Sequence, residues 1–171
     1  MAEATAWLRP LPGTTRLSCC GDEAAQSTAA AILGVVPSAT PCRAVSVGDR
    51  ASLWLGPDER LLLAPIDERP RLIAGLEAAL AGHAHALVDI SQRQLAFAVH
   101  GPHAALLLNA QCPLDLALQA FPVDMCTRSV YGKAEVVLWR TAEDRFHVEV
   151  WRSFADYVLT LLRTVARELP G

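Results

Sequence analysis

The chain has 171 residues, 52% of them hydrophobic and 19% charged, with a net charge of −3. That length suits one domain or two small halves sharing a core. Without a basic patch or tail, the composition argues against nucleic acid and anionic membranes as partners. No apolar run approaches the roughly 18 residues needed to cross a bilayer, and a mean hydropathy of +0.26 hints at a buried partner face.

Residues 1–13 contain Pro10, Pro12 and Gly13 and read as an extended arm, in which Trp7 and Leu8 can latch onto a core or a partner. The first residues lack a basic stretch followed by an apolar core, so no signal peptide is expected. Thr14 to Cys20 reads as a strand. Asp22 caps a helix that runs to Leu33 and stops at Gly34, with Ala25, Ala29, Ile32 and Leu33 facing inward. Strands are predicted over 42–47 and 51–55. Gly56-Pro57-Asp58-Glu59 is a tight turn, and 60–64 is the returning strand. Asp67 is expected to cap a helix through Leu72, Ile73, Leu76 and Leu80 that stops at Gly82. A buried strand over 84–90 closes the first half, 14–90.

The second half, 91–171, opens on a strand in which Leu95, Phe97 and Val99 alternate with Gln94, Ala96, Ala98 and His100. Gly101 frees the backbone to turn, and Pro102 suits the first position of a helix over 104–108 that ends at Asn109. Pro113 keeps Cys112 out of helix and begins a loop through Phe121-Pro122. Strands follow at 125–131, 133–140 and 145–151. The last helix repeats Phe154, Tyr157, Val158, Leu161, Leu162 and Val165 at spacings of three and four. Ser153-x-x-Asp156 resembles a capping box.

This order predicts an α+β fold of two halves with antiparallel sheets and helices packed on one side. A four-residue loop over 141–144 would set Trp139 opposite Phe146 and Val137 opposite Val148. The other face would then carry Val136, Leu138 and Trp151 beside His147 and Glu149. That is too apolar for a solvated sheet face, so either the other half or a partner covers it.

Candidate chemistry is sparse. His83-x-His85 and the pair His100 and His103 lack the further ligands a metal needs. No glycine-rich phosphate loop occurs. The five cysteines, an odd number without Cys-x-x-Cys spacing, read as reduced thiols of a cytoplasmic protein. Cys112 reads as buried and structural, for want of a group that would lower its pKa. Asp115 reads as a turn cap. Arg152 either binds a carboxylate or supports a neighbouring loop through backbone carbonyls.

Several of these pieces together carry a resemblance. Leu53-Trp-Leu-Gly-Pro-Asp-Glu-Arg-Leu-Leu62, Asp89-x-Ser91, Gly101-Pro102, Cys112-Pro-Leu-Asp-Leu116, Phe121-Pro122, Cys126 and Arg152-Ser-Phe-Ala155 resemble, in this order, the gamma subunit of heterotetrameric sarcosine oxidase. That family is related to the folate-binding aminomethyltransferase fold. The resemblance implies two ferredoxin-like, aminomethyltransferase-like halves in a bacterial cytoplasmic complex. That complex oxidatively demethylates sarcosine to glycine and passes the one-carbon unit to tetrahydrofolate. It places FAD, FMN and NAD in the alpha and beta subunits and zinc in delta, and it implies no cofactor, metal or catalytic residue in this chain.

Gly101, Cys112, Pro113, Asp115, Arg152, Ser153 and Phe154 are the family motif residues, without an assigned role. Trp7, Leu138 and Trp151 are the expected partner contacts, and self-association is expected of the isolated chain. The family pattern is broken at Ala117 and at Val123-Asp124-Met125. Where aminomethyltransferase relatives carry paired aspartates, this chain has Lys133-Ala134-Glu135-Val136, which argues against independent aminomethyl transfer. The alternative is a stand-alone folate-binding module or an aminomethyltransferase-like enzyme of one-carbon metabolism.

Overall fold

The computed structural model describes residues 8–168. The chain divides into two compact units: Gly13–Gln92, and the segment through Pro12 together with the chain from Arg93 onward.

In the first unit, strands β2 (Thr14–Gly21), β3 (Ala44–Val47), β4 (Arg50–Gly56), β5 (Glu59–Pro65) and β6 (His85–Asp89) form an antiparallel sheet. Its order is β3-β4-β5-β2-β6. Helices α1 (Glu23–Leu33) and α2 (Arg69–Leu80) cover one face. Leu17, Cys19, Leu62 and Ala64 of the strands pack there with Ala25, Ala29, Leu33, Leu72, Leu76 and Leu80 of the helices. Asp22 caps α1, its Oδ1 accepting from the Ala25 amide at 2.9 Å, and Gly34 ends the helix at φ 75°.

In the second unit, β7 (Gln94–His100), α3 (Ala104–Asn109), β8 (Cys126–Tyr131), β9 (Ala134–Ala142), β10 (Arg145–Trp151) and α4 (Ala155–Ala166) repeat this plan. The sheet order is β1-β7-β10-β9-β8. In each unit an inner strand feeds a helix, three strands meander, a helix follows, and a further strand lies beside the first as the sheet edge. In the second unit that last strand comes from the other end of the chain. It is β1, Leu8–Pro10, with Leu8 opposite Val99 and Pro10 opposite Phe97. The expected arm therefore supplies a strand. Pro10 is tolerated there because an edge strand has a side on which no N–H is needed. Trp7 lies outside the described residues.

Several expectations are corrected. Ile32 faces outward, and Ala30 takes a buried place on α1 instead. Asp67 caps nothing: it lies in a 3-10 turn, Ile66–Glu68, that leads straight into α2. Ser153 and Asp156 form no capping box, because a 3-10 turn over Arg152–Phe154 winds into α4 without a side-chain cap. Pro102 precedes α3 in a turn closed by the Ala104 amide donating to Gly101 O at 3.0 Å. The strand read as buried over 84–90 is the sheet edge, and its residues are largely exposed.

The register of β9 with β10 differs by one residue from the expected one. Ala142 pairs with Arg145, a bulge follows, and Arg140 stands opposite Phe146, Leu138 opposite Val148 and Val136 opposite Val150. The bulge absorbs one residue, so the alternation turns over. Val136 and Leu138 face the helix-covered core, while Val137 and Trp139 share the other face with His147 and Glu149.

The Asp89-x-Ser91 pair closes the first unit. Asp89 Oδ1 accepts from the Ser91 amide at 2.9 Å and from its hydroxyl at 2.6 Å. Ser91 Oγ in turn accepts from the Arg16 amide at 2.9 Å, and the Arg69 guanidinium binds the other carboxylate oxygen, with Nε at 2.6 Å. Burial pushes the Asp89 carboxyl up, but the Ser91 and Arg69 bonds outweigh it and hold its pKa below the ordinary value. A depressed folded pKa gives stability that is present above the unfolded value and lost as pH falls through the folded one. Asp89→Asn is therefore expected to lower the melting temperature at neutral pH. The gap to wild type should narrow as pH falls through the depressed pKa of the folded state, which paired melts across pH would check.

Candidate partner interface

The family motif residues split into a loop anchored by three buried side chains, Cys112, Leu116 and Phe121, and an exposed patch, both within the second unit. The loop runs from Ala110 to Met125. Asn109, at the end of α3, brackets its first turn: its Nδ2 donates to Leu114 O and its Oδ1 accepts from the Leu116 amide at 3.2 Å. Asp115 Oδ1 accepts from the Ala117 amide at 2.9 Å, the turn-capping role expected of it. Cys112 is buried with its sulfur 3.5 Å from Ser129 Oγ, and Pro113 is exposed. Gly101, at φ 106°, makes the turn out of β7, and its amide donates to Asp144 O at 2.9 Å.

Arg140 grips the far side of the loop. Its Nη1 donates to Phe121 O at 2.7 Å and its Nη2 to Leu116 O at 2.8 Å, and its guanidinium carbon lies 4.5 Å from the Phe146 ring centroid. Burial pushes the Arg140 pKa down, partly offset by Glu143. Tyr131 adds a bond from its hydroxyl to Leu107 O at 3.1 Å, and burial pushes its pKa well up. Asn109, Asp115 and Arg140 thus spend these bonds on the backbone of the loop. Sequence reasoning missed Arg140. The signal was the run Ala134, Val136, Leu138, Arg140, which puts the arginine on the core face once the register is right.

The patch lies where β10 passes into α4. Trp151 is 39% exposed, Phe154 41% and Tyr157 40%. The Arg93 guanidinium sits over the Trp151 ring, 4.8 Å from its centroid, and the Arg152 amide donates to Arg93 O at 2.8 Å. Arg152 and Ser153 are themselves exposed. On α4, Tyr157, Leu161 and Thr164 among others line a shallow groove of about 360 Å³. Leu138, expected here, is 0% exposed and lies in the core. It is withdrawn as a contact, because the register shift that turns Trp139 outward turns Leu138 inward. On the face away from the helices, Glu149 is wholly buried with its Oε1 2.7 Å from His147 Nε2.

Three cysteines, 19, 112 and 126, are buried as free thiols. Burial, with Cys20 adding to it, pushes the Cys19 thiol up. No group of three His, Cys, Asp or Glu side chains suited to a metal occurs among the described residues, and none of their helices is long and apolar enough to cross a membrane.

The family model described as sarcosine oxidase, gamma subunit family matches residues 20–168. The chain belongs to the sarcosine oxidase gamma subunit family. It is 34% identical over 153 residues to a sarcosine oxidase subunit gamma of Corynebacterium sp. (strain U-96), a match covering 89% of this chain and 69% of that one. Its structure is similar to a chain of heterotetrameric sarcosine oxidase from Corynebacterium sp. U-96, solved in complex with pyrrole 2-carboxylate. There the TM-score is 0.87 and the identity 32%, over 94% of this chain and 83% of that chain. The glycine cleavage system aminomethyltransferase T from Bartonella henselae shares the fold, with a TM-score of 0.68 at 15% identity over 91% of this chain and 44% of that one. In this gamma-family chain, Glu135 is exposed and 3.8 Å from the Arg128 guanidinium.

Proposed function

We propose that this chain is the gamma subunit of a heterotetrameric sarcosine oxidase, and that it serves assembly while the chemistry belongs to its partners. The observation that carries this is the likeness to the Corynebacterium complex, in sequence over 89% of the chain and in structure at a TM-score of 0.87. On this reading the alpha, beta and delta subunits are the partners, in the cytoplasm. The larger subunits hold FAD, FMN and NAD, and delta holds zinc. They oxidise sarcosine to glycine and pass the one-carbon unit to tetrahydrofolate.

This chain's own residues favour a scaffolding role. The motif loop spends its polar groups on backbone carbonyls and amides, whereas a catalytic acid or base needs an orbital free for substrate. Trp151 and Phe154, half in solvent beside a guanidinium, are the kind of side chains that dominate interface energetics. Trp151→Glu is therefore expected to weaken co-elution with the larger subunits while leaving the melting temperature of the isolated chain unchanged. Co-elution at the wild-type level would remove Trp151 from the interface.

A further inference from the structure

A buried polar group without a partner lies beside Trp151. In the pairing of β7 with β10, Gln94 stands opposite Trp151. Directly opposed residues share a sheet face, with Cβ atoms about 5 Å apart. Leu95 and Phe97 of β7 face the helix-covered core, so Gln94 and Trp151 lie on the other face. Gln94 is 5% exposed, and among the described residues its Oε1 accepts no hydrogen bond. An empty buried acceptor keeps its full desolvation penalty, and native structures hold few of them. The residue before it, Arg93, is exposed and carries its guanidinium over the Trp151 ring. Among the described residues no carboxylate pairs with that guanidinium. Contact with a ring uses the face of a guanidinium and spares the N–H groups around its edge.

We propose that Arg93, Gln94 and Trp151 receive an extended, acidic segment of a larger subunit, its main chain bonded to the Gln94 amide and an Asp or Glu side chain bonded to Arg93. This rests on the subunit reading and deepens it by naming the chemistry that lands on Trp151. A main chain suits the amide because a peptide carries an N–H for Oε1 and a C=O for Nε2 of the same side chain. A carboxylate suits Arg93 because the guanidinium is always charged and can engage both oxygens at once. A free anion fits less well: it has no donor for Oε1 and would be repelled by it. One polypeptide segment brings the donor and the negative charge together, and the Trp151 ring packs against its apolar atoms.

The test is made on the complex isolated from its native cells through a tag on this chain. Gln94→Leu removes the amide and keeps the bulk. It should weaken association with the larger subunits about two- to tenfold, the worth of a neutral hydrogen bond. The isolated chain should melt no lower than wild type, because the lost oxygen had no partner there. Arg93→Glu sets like charges together and should weaken association about tenfold or more, with a flatter dependence on NaCl. Arg71→Glu makes the same charge change at an exposed arginine of the first unit and should leave association intact. Arg93→Lys keeps the charge and adds an amine that a carbodiimide couples to a carboxylate in contact. Mass spectrometry should then find residue 93 joined to an Asp or Glu of a larger subunit. Variants at 93 and 94 that associate like wild type would overturn the proposal. So would coupling of residue 93 to a second copy of this chain, or to no carboxylate. A wild-type chain that retains no larger subunit would overturn the subunit reading itself, and the proposal with it.

Discussion

Replacing Arg140 by methionine is expected to cost about 3–6 kcal/mol of stability, the sum of two buried hydrogen bonds from a charged donor. Methionine keeps most of the apolar stem, so the loss isolates the guanidinium. Two carbonyls, Leu116 O and Phe121 O, would be left with no donor from that side chain. The Phe146 ring would lose the cation over its face. Because the arginine is 2% exposed, water cannot readily replace it, and the orphaned acceptors carry their full desolvation penalty. Urea unfolding measures the total. Amide exchange should show where it falls, with protection lost first over residues 110–125. A cost under about 1 kcal/mol, the net worth of one ordinary hydrogen bond, would mean that the loop is held by its apolar contacts alone.

Gly132→Val is expected to cost about 2–3 kcal/mol, from a left-handed backbone penalty of 1–2 and the loss of one hydrogen bond. Gly132 joins β8 to β9 at φ 60°, where a β-branched residue is strained whatever its surroundings. Its surroundings are also closed: a Cβ built there would lie 2.5 Å from Tyr157 Oη and 2.9 Å from Leu161 Cδ2. Tyr157 would have to swing away, breaking the bond from the Lys133 amide to its Oη at 3.2 Å. The change also reaches the proposed interface, since Tyr157 belongs to the exposed aromatic surface. Gly132→Ala, with the same φ and a smaller clash, should fall between glycine and valine in thermal melts. Equal melting of all three would show that the hairpin tip and α4 are not packed as described.

What the sequence disclosed, and what it hid, follows from the range of the interactions. Asp22 and Gly34 were legible as the two ends of α1 because a cap bonds to the residue three away and a left-handed glycine acts on its own turn. The last helix was legible because apolar residues at spacings of three and four need no partner to be recognised. Asp115 was legible as a turn cap for the same local reason. Leu8–Pro10 was not legible as a strand, because its partner, β7, lies some ninety positions along the chain and three residues carry too little pattern. The apolar run Ala84 to Ile90 looked buried, but exposure of β6 is set by its place at the end of the sheet order.

The candidate site divides in the same way. Trp151 emerged from an alternation that was one residue out for β9 but correct for β10, so Trp151 survives while Leu138 does not. One bulge between Arg145 and Phe146 is enough to exchange the two faces of a strand. Arg140 stayed hidden because a charged residue at the end of an apolar run reads as the end of the strand. Its acceptors, Leu116 O and Phe121 O, are backbone atoms and leave no mark in a sequence. The motif residues could be recognised as a set without any role for them; of the set, Cys112 is buried and the exposed Asp115 caps its turn.

The most direct measurement of this chain's role is a tagged pull-down from its native cells, followed by an absorbance spectrum of the eluate and an assay for sarcosine-dependent peroxide. The account predicts a yellow eluate of several chains with flavin absorption and peroxide formed on adding sarcosine. A colourless eluate containing this chain alone would contradict it.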